Sequence, residues 1–134
     1  MLQARNYPLK LKFLWLSIGY LMVLFVIYSS LTSHPVTIDV KFSDKMLHVV
    51  GYFGMMGWFI QIYHTRKMRY LLALLFIGMG IGLEFLQDLG GVRYFEVRDM
   101  LANTTGVLLA WALVKTPFPG LLYWFESRLV KPTI

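Results

Sequence analysis

The sequence predicts an all-α integral membrane protein with four transmembrane helices and a short C-terminal interfacial helix. Of its 134 residues, 57% are hydrophobic and only 15% are charged, whereas a soluble domain usually carries about 25% charged residues. Four long apolar runs are separated by short polar or basic segments, and a membrane helix needs roughly 20 apolar residues. Residues 1–134 are therefore expected to form a single membrane domain.

The four predicted spans cover residues 13–31, 44–63, 70–88 and 98–114. The first follows a basic start and resembles a signal peptide, but its apolar run is too long and no small-residue cleavage site follows, so it is predicted to be a retained anchor. Ser43 or Asp44 is suited to cap the second span. Gly90 and Gly91 are suited to end the third.

The segment after the fourth span predicts a short amphipathic helix. Its apolar residues recur at helical spacing, with Tyr123 and Trp124 nearby; they are Leu121, Leu122, Phe125 and Leu129. This pattern favours a helix that lies on the membrane surface. A tail without fixed structure is the alternative.

The distribution of basic residues predicts the orientation of the spans. Four spans place both termini on one side, with nine Lys and Arg on that side and four on the other. The nine are Arg5, Lys10, Lys12, Arg66, Lys67, Arg69, Lys115, Arg128 and Lys131, and the four are Lys41, Lys45, Arg93 and Arg98. Because basic residues favour the cytoplasmic side, both termini are expected in the cytoplasm.

This topology brings polar residues of the second, third and fourth spans to one depth, near the outer surface. An ionisable group at mid-bilayer costs about 2.5 to 3.5 kcal/mol, so such groups indicate a functional site. Residues three and four apart share a helix face. Three stripes follow: Asp44, His48, Gly51 and Tyr52; Gly80, Glu84, Gln87 and Asp88; and Asp99, Ala102, Asn103, Gly106 and Ala110. We expect these stripes to face one another, with small residues allowing close approach. Gly78 and Gly82 form a GxxxG, a weak packing signal.

The stripes form an ordered pattern along the chain. It reads D-K-x-x-H-x-x-x-Y from Asp44 to Tyr52, E-x-x-Q from Glu84 to Gln87, and R-x-x-x-x-R-D-x-x-x-N-x-x-G from Arg93 to Gly106. Over about residues 44–113 it resembles the VanZ-like family of small bacterial membrane proteins. The resemblance implies a multi-pass protein of the bacterial cytoplasmic membrane, in a family named for a protein that gives low-level teicoplanin resistance. It does not make this chain a resistance factor.

The first functional hypothesis is a binding site for an envelope lipid head group or a lipid-linked cell-wall precursor. Basic residues would hold phosphate or carboxylate, with Arg favouring bidentate contacts, and neighbouring polar residues would bind hydroxyls or amides. The candidate binding residues are Asp44, Lys45, Tyr52, Gln87, Arg93, Arg98 and Asn103. Alternatively, the arginines only neutralise Asp88, Glu96 and Asp99.

The second hypothesis is a membrane hydrolase or transferase with His48, Glu84 and Asp99 as catalytic residues. His48 would be a general base, oriented by Glu84 or Asp44. His48 with the carboxylates could also hold a divalent metal, but no strict ligand spacing is present, so we expect no metal and no cofactor. The pattern leaves open whether the protein is an enzyme.

The third hypothesis is structural, with the polar stripes only holding helices together. Interhelical hydrogen bonds in membranes average about 0.6 kcal/mol, so each contributes little. No nucleic-acid partner is expected, because the basic residues lie at the ends of apolar runs. The sequence fixes neither the ligand nor the oligomeric state.

Overall fold

The computed structural model describes residues 7–32, 44–91 and 96–130, except the side chain of Asp44. These residues form five α-helices: α1 Lys12–Leu31, α2 Asp44–Phe59, α3 Arg66–Leu89, α4 Val97–Ala112 and α5 Leu121–Leu129. Two short 3₁₀ turns, Leu113–Lys115 and Phe118–Gly120, connect α4 to α5. The described residues contain no strand, so the all-α prediction is confirmed.

Hydrogen bonds between helices define how the first four run relative to one another. The pairs are Trp58 Nε1 with the Trp15 carbonyl at 2.8 Å, Gln87 Nε2 with the Ser30 carbonyl at 2.7 Å, and His48 Nδ1 with Asn103 Oδ1 at 2.8 Å. Thus α1 and α3 run in one direction, and α2 and α4 run in the other. We call the end where α2 and α4 begin the polar end, and the end where α1 and α3 begin the basic end.

The core lies between α2, α3 and α4, whereas α1 packs on it from one side. Its buried side chains include Met55 and Met56 of α2, Phe76 of α3 and Val107 of α4. In α1, only Trp15 and Gly19 are buried. The rest of α1 exposes large apolar side chains, a surface that favours a lipid environment over water.

One glycine determines how closely α2 and α4 approach. A Cβ at Gly106 would clash with the Val49 carbonyl oxygen and lie 2.9 Å from the Phe53 backbone nitrogen. A Cβ at Gly78 or Gly82 would meet no atom within 4 Å. The GxxxG pair therefore does not mark a helix contact within the described residues, whereas Gly106 does.

Length and composition identify two described helices that could cross a membrane, α1 and α3. A third crossing results if Val97–Lys115 and Phe118–Leu129, which are bent by 85°, form one span. The helices α2 and α4 have 16 residues each, fewer than the roughly 20 that a span needs. These criteria therefore support two or three crossings, whereas the sequence predicted four.

The predicted second span extends to Tyr63, but α2 ends at Phe59. A buried arginine explains this end. Arg69 Nη2 donates to the Ile60 carbonyl at 3.0 Å, and its Nε donates to the Tyr63 carbonyl at 3.1 Å. These bonds satisfy two carbonyls of the turn that follows α2, which would otherwise need other partners. The chain can therefore turn at residues 60–65 and begin α3 at Arg66, where Thr65 accepts the Met68 N–H at 3.2 Å.

Candidate functional site

Side chains from three helices meet at the polar end of the molecule. We call this group the polar cluster; its members are Lys45 and His48 of α2, Glu84 of α3, and Glu96, Asp99 and Asn103 at the start of α4. Glu84, Asp99 and Asn103 are only 1%, 2% and 3% exposed. Polar groups buried this deeply are costly unless they are hydrogen-bonded or paired, so their partners determine what the cluster can do.

Lys45 connects α2 to the start of α4. Its Nζ forms ion pairs with the carboxylates of Glu96 and Asp99. Asp99 lies in the first turn of α4, where the helix dipole also favours a negative charge. The two carboxylates that bind Lys45 differ in exposure. The side chain of Glu96 is 51% exposed, whereas that of Asp99 is 3% exposed.

His48 is oriented by Asn103. Its Nδ1 lies 2.8 Å from Asn103 Oδ1. An amide oxygen can only accept a hydrogen bond, so Nδ1 carries the proton. The other ring nitrogen, Nε2, lies 3.9 Å from Asp99 Oδ1. Nε2 is therefore the ring nitrogen on the side of the buried Asp99 carboxylate.

Glu84 connects α3 to the start of α4. Its Oε1 accepts the backbone N–H of Glu96 at 2.8 Å. Glu96 is the N-cap residue of α4 and makes no capping bond with its own side chain. Glu84 thus holds in place the backbone from which Glu96 and Asp99 reach Lys45.

Gln87 and Tyr52, two further predicted binding residues, are also buried. Gln87 turns towards α1, where its Nε2 binds the Ser30 carbonyl, and its Oε1 has no hydrogen-bond partner among the described residues. The Tyr52 ring is 3% exposed and lies in the core beside Gly80 and Gly106. Asp44 is the first residue of α2, and Arg93 lies outside the described residues.

An open cleft of about 530 Å³ adjoins the polar cluster. Lys45, Glu96, Val97 and the exposed Arg98 line it. It is open to solvent and does not form an enclosed pocket. The cleft thus gives a ligand access to Lys45, at the exposed side of a largely buried cluster.

Sequence reasoning gave Glu96 only a charge-neutralising role, yet it contacts both Lys45 and Glu84. Glutamate is not among the residues preferred at an N-cap, so no local signal in the sequence indicates this position. Within the described residues, no three His, Asp or Glu side chains are grouped so that they could hold a metal ion.

Fold and site together define a small helical protein with apolar outer surfaces and a buried polar cluster at one end. The VanZ/LLP1 family profile matches residues 5–122, so the chain belongs to this family and the resemblance in the sequence is confirmed. No match was found among curated proteins or among solved structures.

Proposed function

We propose that the protein crosses the bacterial cytoplasmic membrane four times, with both termini in the cytoplasm and the polar end facing outward. The alternating directions of α1 to α4 support this topology. A 16-residue helix is about 24 Å long, and the turns that follow α2 and α4 lengthen both towards the roughly 30 Å hydrocarbon core. Basic residues at the basic end agree with a cytoplasmic location.

The polar cluster then binds the head group of an envelope lipid or a lipid-linked cell-wall precursor. One observation carries this proposal: Lys45, at the cleft, is paired with the buried Asp99 and the exposed Glu96. An incoming phosphate can displace Glu96 from Lys45 because Glu96 can be solvated by water. Asp99 would stay paired, so the buried charge is never left alone.

Neighbouring groups of the cleft and cluster suit the same ligand. Arg98 is exposed at the cleft and can form a bidentate contact with phosphate. The Asn103 amide and the Glu84 carboxylate can bind hydroxyl or amide groups that enter more deeply. If the bound lipid is the cell-wall precursor, glycopeptide susceptibility should also change.

A purely structural role accounts less well for these residues. Interhelical hydrogen bonds in membranes average about 0.6 kcal/mol, so each contributes little to holding the helices together. Helix packing alone therefore gives little reason for so many ionisable groups at the polar end. Ligand binding provides a reason for their presence.

Catalysis on the bound lipid is a second candidate, favoured by the orientation of His48. With Nδ1 bound to Asn103, Nε2 is the nitrogen that could accept a proton from a reacting group. A hydrolase or transferase would lose turnover in His48→Gln while keeping its lipid. A binding protein would show no turnover in either form.

Native mass spectrometry of the purified protein tests the binding proposal. We expect a defined lipid on the wild type and on Asp88→Asn, which changes an exposed carboxylate outside the cluster. Lys45→Gln should weaken binding about tenfold or more, since a hydrogen bond to a charged group contributes about 1.5 to 3 kcal/mol. Equal lipid occupancy in all three folded proteins would contradict the proposal.

A further inference from the structure

The C-terminal helix α5 is attached to the start of α1 by one buried carboxylate. Glu126 is 3% exposed. Its Oε1 accepts the Lys10 N–H at 2.6 Å, and its Oε2 accepts the Leu11 N–H at 2.9 Å and the Trp15 indole N–H at 2.7 Å. We call these three bonds the Glu126 clasp. The clasp fixes α5 beside the first turn of α1, and therefore at the basic end.

The direction of α5 differs from that of the other helices. Phe118–Leu129 is bent by 85° from Val97–Lys115, the segment that contains α4. A helix that turns by almost a right angle at the end of α4 runs across the end of the bundle. If the bundle spans a bilayer, α5 lies parallel to its surface.

One face of α5 is apolar and exposed. Leu121, Trp124, Phe125 and Leu129 recur at intervals of three and four residues and are 47–58% exposed. The adjacent side of the helix carries Leu122 and Glu126, which are buried. The large apolar side chains on this face and their helical spacing are typical of an amphipathic helix that inserts shallowly into lipid.

Positive charge surrounds this apolar face. Six basic residues at the basic end are exposed: Lys10, Lys12, Arg66, Lys67, Lys115 and Arg128. Arg128 lies over the Trp124 ring, 5.1 Å from its centroid. Of the acidic residues that the structure describes, Glu126 alone lies at this end, and its carboxylate is enclosed in the clasp. Anionic phospholipid is the surface that complements this combination.

We propose that α5 is a binding platform for anionic phospholipid in the leaflet at the basic end, held in position by the Glu126 clasp. The apolar face enters the boundary between head groups and acyl chains, and the surrounding Lys and Arg contact the phosphates. This inference rests on the membrane topology proposed above and is independent of ligand binding at the polar cluster.

The absence of cysteine from the sequence allows a direct test of depth. Spin labels are attached to Phe125→Cys and Leu129→Cys on the apolar face and to Ser127→Cys as the control, in nanodiscs of phosphatidylcholine with phosphatidylglycerol. We expect labels 125 and 129 to be accessible to oxygen and shielded from a water-soluble nickel reagent, at the level of the upper acyl chains. Label 127 should be accessible to nickel.

Three other results would overturn the platform. Labels accessible to nickel at all three positions would place α5 in water, and labels at the bilayer centre would make it part of a broken span. Shielding of labels 125 and 129 from both reagents would mean that a protein, such as a second copy, covers the face. Lipid bound to the polar cluster, measured in the same samples by native mass spectrometry, reports separately on the proposed function.

Lipid composition tests the preference for anionic head groups. The mobility of label 129 is compared in nanodiscs with and without phosphatidylglycerol, and in Lys115→Gln/Arg128→Gln. We expect phosphatidylglycerol to immobilise the label in the parent protein and to have less effect in the double variant. Equal mobility in both lipids would overturn the anionic preference.

A final comparison tests the clasp. Glu126→Ala leaves the backbone N–H groups of residues 10 and 11 and the Trp15 indole without their acceptor, so label 129 should become more mobile. Ser127→Ala, at the next and exposed position, should leave the mobility unchanged. Unchanged mobility in Glu126→Ala would show that another contact holds α5.

Discussion

At the scale of single residues, two helical glycines have different roles. Gly106 → Ala places a methyl group against the backbone of Val49 and Phe53, which cannot move aside as a side chain can. Overpacking of this kind costs typically about 1 to 3 kcal/mol. We therefore expect Gly106→Ala to lower the thermal stability of the purified protein.

Gly78→Ala is the matched control. Its Cβ meets no atom within 4 Å, and alanine is favoured over glycine in a helix by about 0.5 to 1 kcal/mol. Its stability should equal or slightly exceed that of the wild type. A loss in Gly78→Ala as large as that in Gly106→Ala would contradict the assigned contact.

His64, in the turn between α2 and α3, predicts a pH dependence. Its ring is buried, its Nε2 lies 2.8 Å from the Gln61 carbonyl, and it packs edge-on against Tyr7. Burial lowers the pKa of His64 below its ordinary value of 6.5, and the nearby Arg69 and Lys12 lower it further although the Gln61 hydrogen bond opposes them. Because the lowered pKa belongs to the folded state, protonation favours unfolding.

The stabilising contribution of neutral His64 is present above pH 6.5 and is lost as the pH falls below that value. Thermal unfolding in detergent should therefore show a decrease in stability as the pH falls below about 6.5. In His64→Gln the stability should fall less over the same pH range. The effects of other titrating groups are common to both proteins, so they cancel when the two profiles are compared. Equal pH profiles for the two proteins would show that His64 does not contribute.

At the scale of helices, apolar length predicted α1 and α3 within a few residues, because a continuous apolar run directly defines a helix of that kind. The end of α2 could not be predicted in this way. The apolar pattern continues past Phe59, but Arg69 ends the helix from ten residues further along the chain. Contacts between residues that are far apart along the chain produce no periodic pattern in the sequence.

Arg69→Met tests this account of the α2 end. The Ile60 and Tyr63 carbonyls would lose their donors, and a buried group without a partner costs about 1 to 3 kcal/mol. We expect a clear decrease in unfolding temperature, measured in detergent. Arg66→Met changes an exposed arginine of the same helix turn and should have little effect. Similar decreases in both variants would argue for a general effect of charge.

At the scale of the whole molecule, the predicted orientation can be tested with single cysteines. Asp88→Cys lies at the polar end and Lys67→Cys at the basic end, and both positions are exposed. A membrane-impermeant maleimide added to intact cells should label position 88, and position 67 only after permeabilisation. Labelling of position 67 in intact cells would contradict cytoplasmic termini.

Helical spacing predicted the grouping of His48, Glu84, Asp99 and Asn103, because residues three and four apart share a face and three polar faces avoid lipid together. The same spacing could not assign Gln87, which follows Glu84 by three residues but contacts α1. A residue at the edge of a helix face can contact either of the two helices that lie beside that edge. Glu126 was not predicted, because its partners lie more than a hundred residues away in the sequence.

The central claim is that the polar cluster and its cleft hold a lipid head group. Photo-crosslinking in the membrane tests this most directly, with a photoreactive residue in place of Val97, which lines the cleft. Leu108, exposed further along α4, is the control position. The account predicts capture of one lipid class through its head group at position 97, lost in Lys45→Gln, and unselective capture of acyl chains at position 108. The same mixture of lipids at both positions, unaffected by Lys45→Gln, would contradict it.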